Sequence, residues 1–262
     1  MGCADVVQLI FEITYTCPCN CPFCPIKKLK LKGELLPLTD YTRILELFKQ
    51  YYRDDEYAVV LSGGEPGTVS FLKKYVDAAR RLGYTVTIVT NAYNIRNILE
   101  ARPDVIELSI DYFGEKHDKI RVLPGLFNNA MKLIALATRL GIPVVIRSTL
   151  MKDNIHDILK LRKHLDNNGL RDVPIIAMPV RGAPDLKPSQ QQIEELAKHE
   201  GIYLSDNCPA GISSFVITPD REVLACIFYR KKLGQFWRFT KEELDGVIKE
   251  GAKIPRFPCE IQ

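Results

Sequence analysis

No stretch of this chain runs through about 18 consecutive apolar residues, so a membrane-spanning helix is not expected. The N-terminus lacks a charged segment followed by an apolar one and a cleavage site, so no secretory signal is expected either. Met1-Gly2 opens like a lipid-acceptor site, but Val6 stands where Ser or Thr is needed. A cytoplasmic protein is the resulting expectation. Charge of one sign is not in large excess: the net charge is +4, too mild to call for nucleic acid as a partner. The densest cationic cluster is Lys27, Lys28, Lys30 and Lys32, which reads as a solvated loop and secondarily as a contact for something acidic. Internal repeats and low-complexity tracts are missing as well. What remains is ordinary. The 262 residues, 46% apolar and 26% charged, suit one domain, alone or with a small appendage.

The cysteines are not ordinary. Eight of them in a reducing compartment are not a disulfide framework, and their positions are uneven. Cys17, Cys19, Cys21 and Cys24 crowd together, Cys208, Cys226 and Cys259 lie near the other end, and Cys3 stands alone. Clustered intracellular cysteines read as metal ligands.

Most of the chain alternates apolar strands with amphipathic helices. Strands are predicted at Val6–Thr14, Tyr57–Leu61, Tyr84–Thr90, Val105–Ile110, Val144–Thr149 and Val173–Met178. They are Val/Ile-rich and mostly not alternating, as parallel strands buried on both faces are. Helices are predicted at Thr39–Tyr52, Phe71–Leu82, Leu126–Leu140 and Asn154–Asn168. Gly83, Gly141 and Gly169 follow three of them as C-terminal caps. Six strand–helix units imply a parallel barrel or a doubly wound sheet, with the site at the C-terminal ends of the strands. After about residue 201 the pattern changes. Ser214–Ile217 and Glu222–Ala225 flank Thr218-Pro219-Asp220-Arg221 as a β-hairpin, and Thr240 with Glu243 forms a capping box for a last helix.

Cys17, Cys21 and Cys24 have C-x3-C-x2-C spacing directly after the first strand. Three thiolates can hold three irons of a [4Fe–4S] cluster and leave the fourth open, as catalysis requires. A zinc site, with Cys19 as a fourth ligand, or free cysteines are the alternatives. The segment Thr16-Cys17-Pro18-Cys19-Asn20-Cys21-Pro22-Phe23-Cys24 resembles the signature of the radical S-adenosylmethionine (SAM) superfamily. The resemblance implies a partial (β/α)6 TIM-type barrel over residues 1–200, an α/β fold. It implies a cluster held by Cys17, Cys21 and Cys24, and SAM chelated through its methionine part at the open iron and cleaved reductively. Phe23 would lie beside the adenine, and Cys19 would be a loop residue.

Further motifs continue the resemblance. Ser62-Gly63-Gly64-Glu65-Pro66 is similar to the family's GGE motif, which implies that Gly63, Gly64 and Glu65 meet the methionine amino group. A plain glycine-rich turn is the alternative. Thr90-Asn91-Ala92 resembles a polar TNG-like segment, which makes Asn91 a cofactor contact. Ser109-Ile110-Asp111 looks like the ribose-contacting segment, and Arg121 would pair with the methionine carboxylate; Asp111 as a turn or cap residue is the alternative. His117 reads as a surface or capping residue. Arg147, a charge in a buried strand, needs a partner, with a bound carboxylate one candidate. Met178, Pro179 and Val180 pack on adenine or in the core.

Cys208-Pro209-Ala210-Gly211, Pro219-Asp220 and Cys226 resemble the start of the SPASM or shorter twitch extension of the same superfamily. That implies a unit at 201–262 carrying an auxiliary [4Fe–4S] cluster on Cys208, Cys226 and Cys259, with no fourth cysteine evident. The family usually has Gly where Arg221 stands. Buried or zinc-binding cysteines are the alternative.

The expected function is reductive SAM cleavage to a 5'-deoxyadenosyl radical and hydrogen abstraction from a small-molecule or peptide substrate. An electron donor such as ferredoxin or flavodoxin would feed the cluster. The twitch resemblance favours oxidation of a small alcohol or sugar, or cofactor building. A peptide-modifying maturase comes next, set back because strand one starts near residue 6 and leaves no room for the peptide-recognition domain such enzymes often carry. An RNA- or nucleoside-modifying enzyme is third. Outside the class, the rival is a non-catalytic iron–sulfur or zinc-binding module, which would not need the GGE and Ser109–Asp111 motifs.

Overall fold

In the computed structural model, the described residues are 6–32, 35–52, 56–181, 183–205 and 208–255. The first strand, β1 (Val7–Thr14), is followed by the short helix α1 (Pro25–Lys28), then α2 (Leu38–Tyr51), β2 (Tyr57–Gly63), α3 (Leu72–Arg81), β3 (Thr85–Thr90) and α4 (Ile95–Ala101). Next come β4 (Val105–Ser109), α5 (Glu115–Arg121), α6 (Leu126–Arg139), β5 (Val144–Leu150), α7 (Ile155–Asn167), β6 (Ile175–Pro179), α8 (Gln190–Ala197) and β7 (Ile202–Leu204). The last part holds β8 (Ser214–Ile217), β9 (Glu222–Leu224), β10 (Lys232–Gln235) and α9 (Lys241–Gly251). The predicted strands and helices all form, with ends moved by one or two residues. The helices α4, α5 and α8 and the strands β7 and β10 escaped the sequence pattern, being short and weakly periodic.

All strands join one sheet, in the order β10-β9-β8-β1-β2-β3-β4-β5-β6-β7. From β1 to β7 every neighbouring pair is parallel and consecutive in the chain. This is a TIM-type barrel left open, because β7 and β10 stand at opposite edges rather than pairing. The chain then returns to the other side of β1. There β8 pairs parallel with β1, while β9 and β10 turn back antiparallel. The predicted hairpin is therefore a direct extension of the barrel sheet.

The helices bury one stripe each. In α2, Tyr41, Ile44, Leu45 and Phe48 have no solvent exposure, and their spacing places them on one face. Phe11 of β1 meets Tyr41 edge-on at 4.6 Å between ring centres, and Tyr41 meets Tyr75 of α3 at 5.1 Å. This is the favoured aromatic geometry, worth roughly 1 kcal/mol per pair beyond area burial. The Tyr75 hydroxyl donates to the Leu36 carbonyl, tying the chain before α2 to α3. At the last helix Thr240 and Glu243 form the expected reciprocal capping box, and α9 packs alongside α2 and β10. Among the described residues no helix is long and apolar enough to cross a membrane.

Candidate functional site

Parallel strands send all their C-terminal ends to one rim, and there the structure opens a cleft of about 200 Å³. Cys17, Cys21, Phe23 and Cys24 line it from the loop after β1; Gly63, Gly64 and Glu65 from the end of β2; Asn91 from β3; Ser109 from β4; and Arg121 from α5. Residues that span more than a hundred positions in sequence thus share one wall. Met178 and Val180, expected to pack on adenine or in the core, also line it. Cys208 and Cys226 lie elsewhere, in a second cavity that shares Met178, Arg181, Ile227 and Phe228 with the first. Cys259 lies outside the described residues.

The glycines are required by close approach. A Cβ on Gly63 would stand 2.3 Å from the Thr14 carbonyl oxygen, and one on Gly64 2.2 Å from that of Thr16. Gly63 also has φ +115°, which side chains rarely adopt. The Gly64 and Glu65 amides donate to those same carbonyls, at 2.6 and 2.8 Å, so the β2 end is stitched to the cysteine loop. Glu65 is 1% exposed. Its carboxylate accepts from the Thr90 hydroxyl at 2.6 Å, the Asn91 amide at 2.7 Å and the Gly67 amide at 2.9 Å. Burial still pushes it above the usual carboxylate range, against those bonds. The resemblance to a TNG segment holds in conformation too: Ala92, where glycine would stand, has φ +66°.

The cysteine loop is anchored by backbone bonds. The Asn20 amide donates to the Arg121 carbonyl at 3.0 Å, and Lys27 Nζ to the Cys17 carbonyl at 3.4 Å. Lys27, expected in a solvated cluster, is thus half-buried against the loop. The thiols form a charge-sharing group. A hydrogen bond from Cys19 lowers Cys17 and, with Arg121 also helping, brings Cys21 to about 7 against the effect of burial. The same bonds raise Cys19, and burial raises Cys24. Thiolate character at neutral pH is what iron ligation needs. Among the described residues no three His, Cys, Asp or Glu side chains are arranged to hold a single metal ion. Three thiols that border one cleft are instead a donor set suited to a cluster, where each thiolate takes a different iron.

Several expectations change. Asp111 does not line the cleft. Its Oδ2 accepts from Arg121 Nε at 3.0 Å and Nη2 at 2.7 Å, its Oδ1 from the Thr149 amide at 2.9 Å, and it is 1% exposed. It holds the Arg121 guanidinium in place. Burial works against the charge on Arg121, but Asp111 and Cys21 outweigh it and hold the group protonated. His117 is a core residue, not a surface one. Its Nδ1 accepts from the Asp111 amide at 3.2 Å, and Nε2 finds no partner among the described residues. Arg147 pairs with Glu107 on the neighbouring strand at 2.8 Å, so its charge is answered within the protein. Cys19 lies in the loop after β1, as expected, and is buried there at the cleft wall.

One part of the site escaped sequence reasoning. Glu12, which lines the cleft, forms a bidentate pair with Arg230 at 2.7 and 2.9 Å and accepts from the Tyr15 hydroxyl at 3.0 Å. The available signal was a lone carboxylate in the apolar run VQLIFEIT, the same kind of signal that singled out Arg147.

The chain is similar to several known proteins. The sporulation killing factor maturation protein SkfB of Bacillus subtilis is 24% identical over 168 residues, 62% of this chain and 40% of that protein. The PqqA peptide cyclase of Gluconobacter oxydans is 26% identical over 227 residues, 82% of this chain and 62% of that protein. The chain therefore spans roughly half the length of the curated relatives it matches. In fold it is similar to Streptococcus suis SuiB bound to the precursor peptide SuiA, with a TM-score of 0.73 at 16% identity, covering 92% of this chain and 64% of that one. The Radical SAM superfamily matches residues 11–165, the span that builds the barrel from β1 through most of α7 and holds Cys17, Cys21, Cys24, Gly63, Gly64 and Glu65, and on that match the chain belongs to this superfamily.

Proposed function

We propose that the protein is a radical SAM enzyme that modifies a peptide. The observation that carries the substrate class is the naming of its relatives: a maturation protein, a peptide cyclase, and a fold neighbour bound to a precursor peptide. Together they move a peptide ahead of the small alcohol or sugar that the C-terminal motifs favoured.

Cys17, Cys21 and Cys24 would hold the [4Fe–4S] cluster. When bound, that cluster supplies the electron that splits SAM into methionine and a 5'-deoxyadenosyl radical. Gly63 and Gly64 leave backbone exposed at the rim, where Glu65 sets the floor and Asn91 borders the cysteine loop. Arg121, held by Asp111, is the cation placed for a carboxylate. Ser109 and Phe23 are the candidates for the ribose and adenine. Residues 201–262 would form an auxiliary-cluster unit on Cys208, Cys226 and Cys259. The cavity bordered by Cys208 and Cys226 shares four residues with the first cleft, which suits electron exchange with a substrate between them. A ferredoxin- or flavodoxin-type donor would supply the first electron.

The test is 5'-deoxyadenosine formation by the anaerobically reconstituted, dithionite-reduced protein. Wild type should form it, and a Cys17→Ala, Cys21→Ala, Cys24→Ala variant should not. For the substrate class, a pool of synthetic peptides is compared with a pool of sugars and polyols. Stimulation by peptides, with a mass change in one of them, is expected; stimulation by sugars or polyols alone overturns the peptide reading.

A further inference from the structure

The end of β3 carries a side-chain amide that turns toward the cysteine loop. Asn91 is buried, and its Nδ2 donates to Cys19 Sγ at 3.2 Å and to Cys17 Sγ at 3.7 Å. Local structure fixes which end of the amide faces the sulfurs. Its Oδ1 accepts the Tyr93 amide at 2.9 Å, a turn that Asn closes on its own backbone, so the two N–H hydrogens are left for the two sulfurs. Its backbone amide is held in turn by Glu65 at 2.7 Å. The thiols of the loop also pack with Phe23, Leu123 and Leu126, whose side chains offer no hydrogen bond. In such apolar surroundings a donor acts more strongly on a nearby charge than it would in water. The sequence expectation makes Asn91 a contact of SAM; the geometry aims its donors at sulfur.

We propose that Asn91 is a positioning residue that donates a hydrogen bond to the Cys17 thiolate and thereby raises the reduction potential of the cluster. This rests on the reading of Cys17, Cys21 and Cys24 as cluster ligands. Reduction adds one electron to the cluster, supplied by the external donor, and no bond forms or breaks in that step. Part of the added negative charge lies on the thiolate sulfurs, so an N–H aimed at one of them stabilises the reduced state more than the oxidised one. Without that bond a mild donor would reduce the cluster less completely. The second N–H, on Cys19, keeps the amide in register with the loop. The path from Glu65 through Asn91 to Cys17 then ties the GGE motif to the electronics of the cluster as well as to the rim.

The test is an EPR-monitored redox titration of anaerobically reconstituted wild type, Asn91→Asp and Asn91→Ser. Both replacements keep an oxygen for the Tyr93 amide, and neither presents an N–H to Cys17. The equilibrium constant for reduction by a fixed donor should fall about tenfold in each, a shift of about 59 mV to lower potential for one electron. SAM affinity, read from its effect on the reduced-cluster spectrum, should stay at the wild-type value. An unchanged potential in both variants overturns the proposal, and an unchanged potential with weakened SAM binding returns Asn91 to the role of a SAM contact. A drop confined to Asn91→Asp would report its added charge rather than a lost bond, and also overturns it. Failure of both variants to assemble a four-iron cluster does the same, because Asn91 would then hold the loop together rather than tune it. If SAM alters the spectrum of none of the three proteins, wild type included, the three-cysteine assignment fails and this proposal with it.

Discussion

At the scale of single residues, the site depends on a chain of buried polar groups. His117 accepts the Asp111 amide, Asp111 holds Arg121, and Arg121 faces the cleft beside Cys21. Burial, with the Arg121 charge adding to it, lowers His117 from 6.5 to about 4. Between those values the unfolded chain binds a proton that the native state refuses. Stability from this group is therefore intact above pH 6.5 and is lost as pH falls toward 4, by about 3 kcal/mol over the whole window. Urea unfolding of wild type and His117→Gln at pH 7 and pH 5 should show a smaller acid loss in the variant. Identical losses would mean that His117 does not titrate between those limits. Asp111 shows where residue-level reading stops. The motif marked it as functional, but the motif does not reveal that Arg121, ten positions on, takes its carboxylate.

At the scale of elements, the turn between β8 and β9 illustrates how a side chain is accommodated in a left-handed position. Arg221 occupies a position with φ +64° and closes the turn by donating its amide to the Thr218 carbonyl at 2.9 Å. Glycine would take that conformation without strain. Arg221 offsets the strain with contacts: its guanidinium reaches Asp40 at 3.3 Å and stands 5.6 Å from the Trp237 ring centre. Both contacts are lost in Arg221→Gly and in Arg221→Ala, so their difference isolates the backbone. Arg221→Gly should be the more stable of the two by about 1 kcal/mol, read from denaturant midpoints at equal slope. A more stable alanine variant would count against the left-handed conformation.

At the scale of the whole molecule, the link between Glu12 and Arg230 decides how the C-terminal segment joins the barrel. The paired groups are 218 positions apart, Glu12 buried and Arg230 partly so, and the sheet itself continues from β1 into β8. Arg230→Met should cost about 3–5 kcal/mol, because it strands a carboxylate inside the protein. Adding Glu12→Gln should recover a large part of that loss, and a double-mutant cycle measures the coupling. If the single variants are each nearly neutral, the pair contributes little and the C-terminal segment is held by the sheet, the packing of α9 on α2 and the Arg221–Asp40 pair.

The sequence by itself determined the parallel strand series, the capped helices and the three-cysteine loop, because each rests on local patterning: Val/Ile runs, 3.6-residue periodicity, terminal glycines, and cysteines within eight positions. Only the tertiary structure decided how buried charges are matched. Glu65 meets Thr90 and Asn91, Asp111 meets Arg121, Arg147 meets Glu107, and Glu12 meets Arg230. It also decided that Cys19, in that loop, is buried at the cleft wall. A buried charge requires a partner, but sequence does not say which one. The partner is whatever the fold brings within 3 Å, often from a strand or loop far away in the chain.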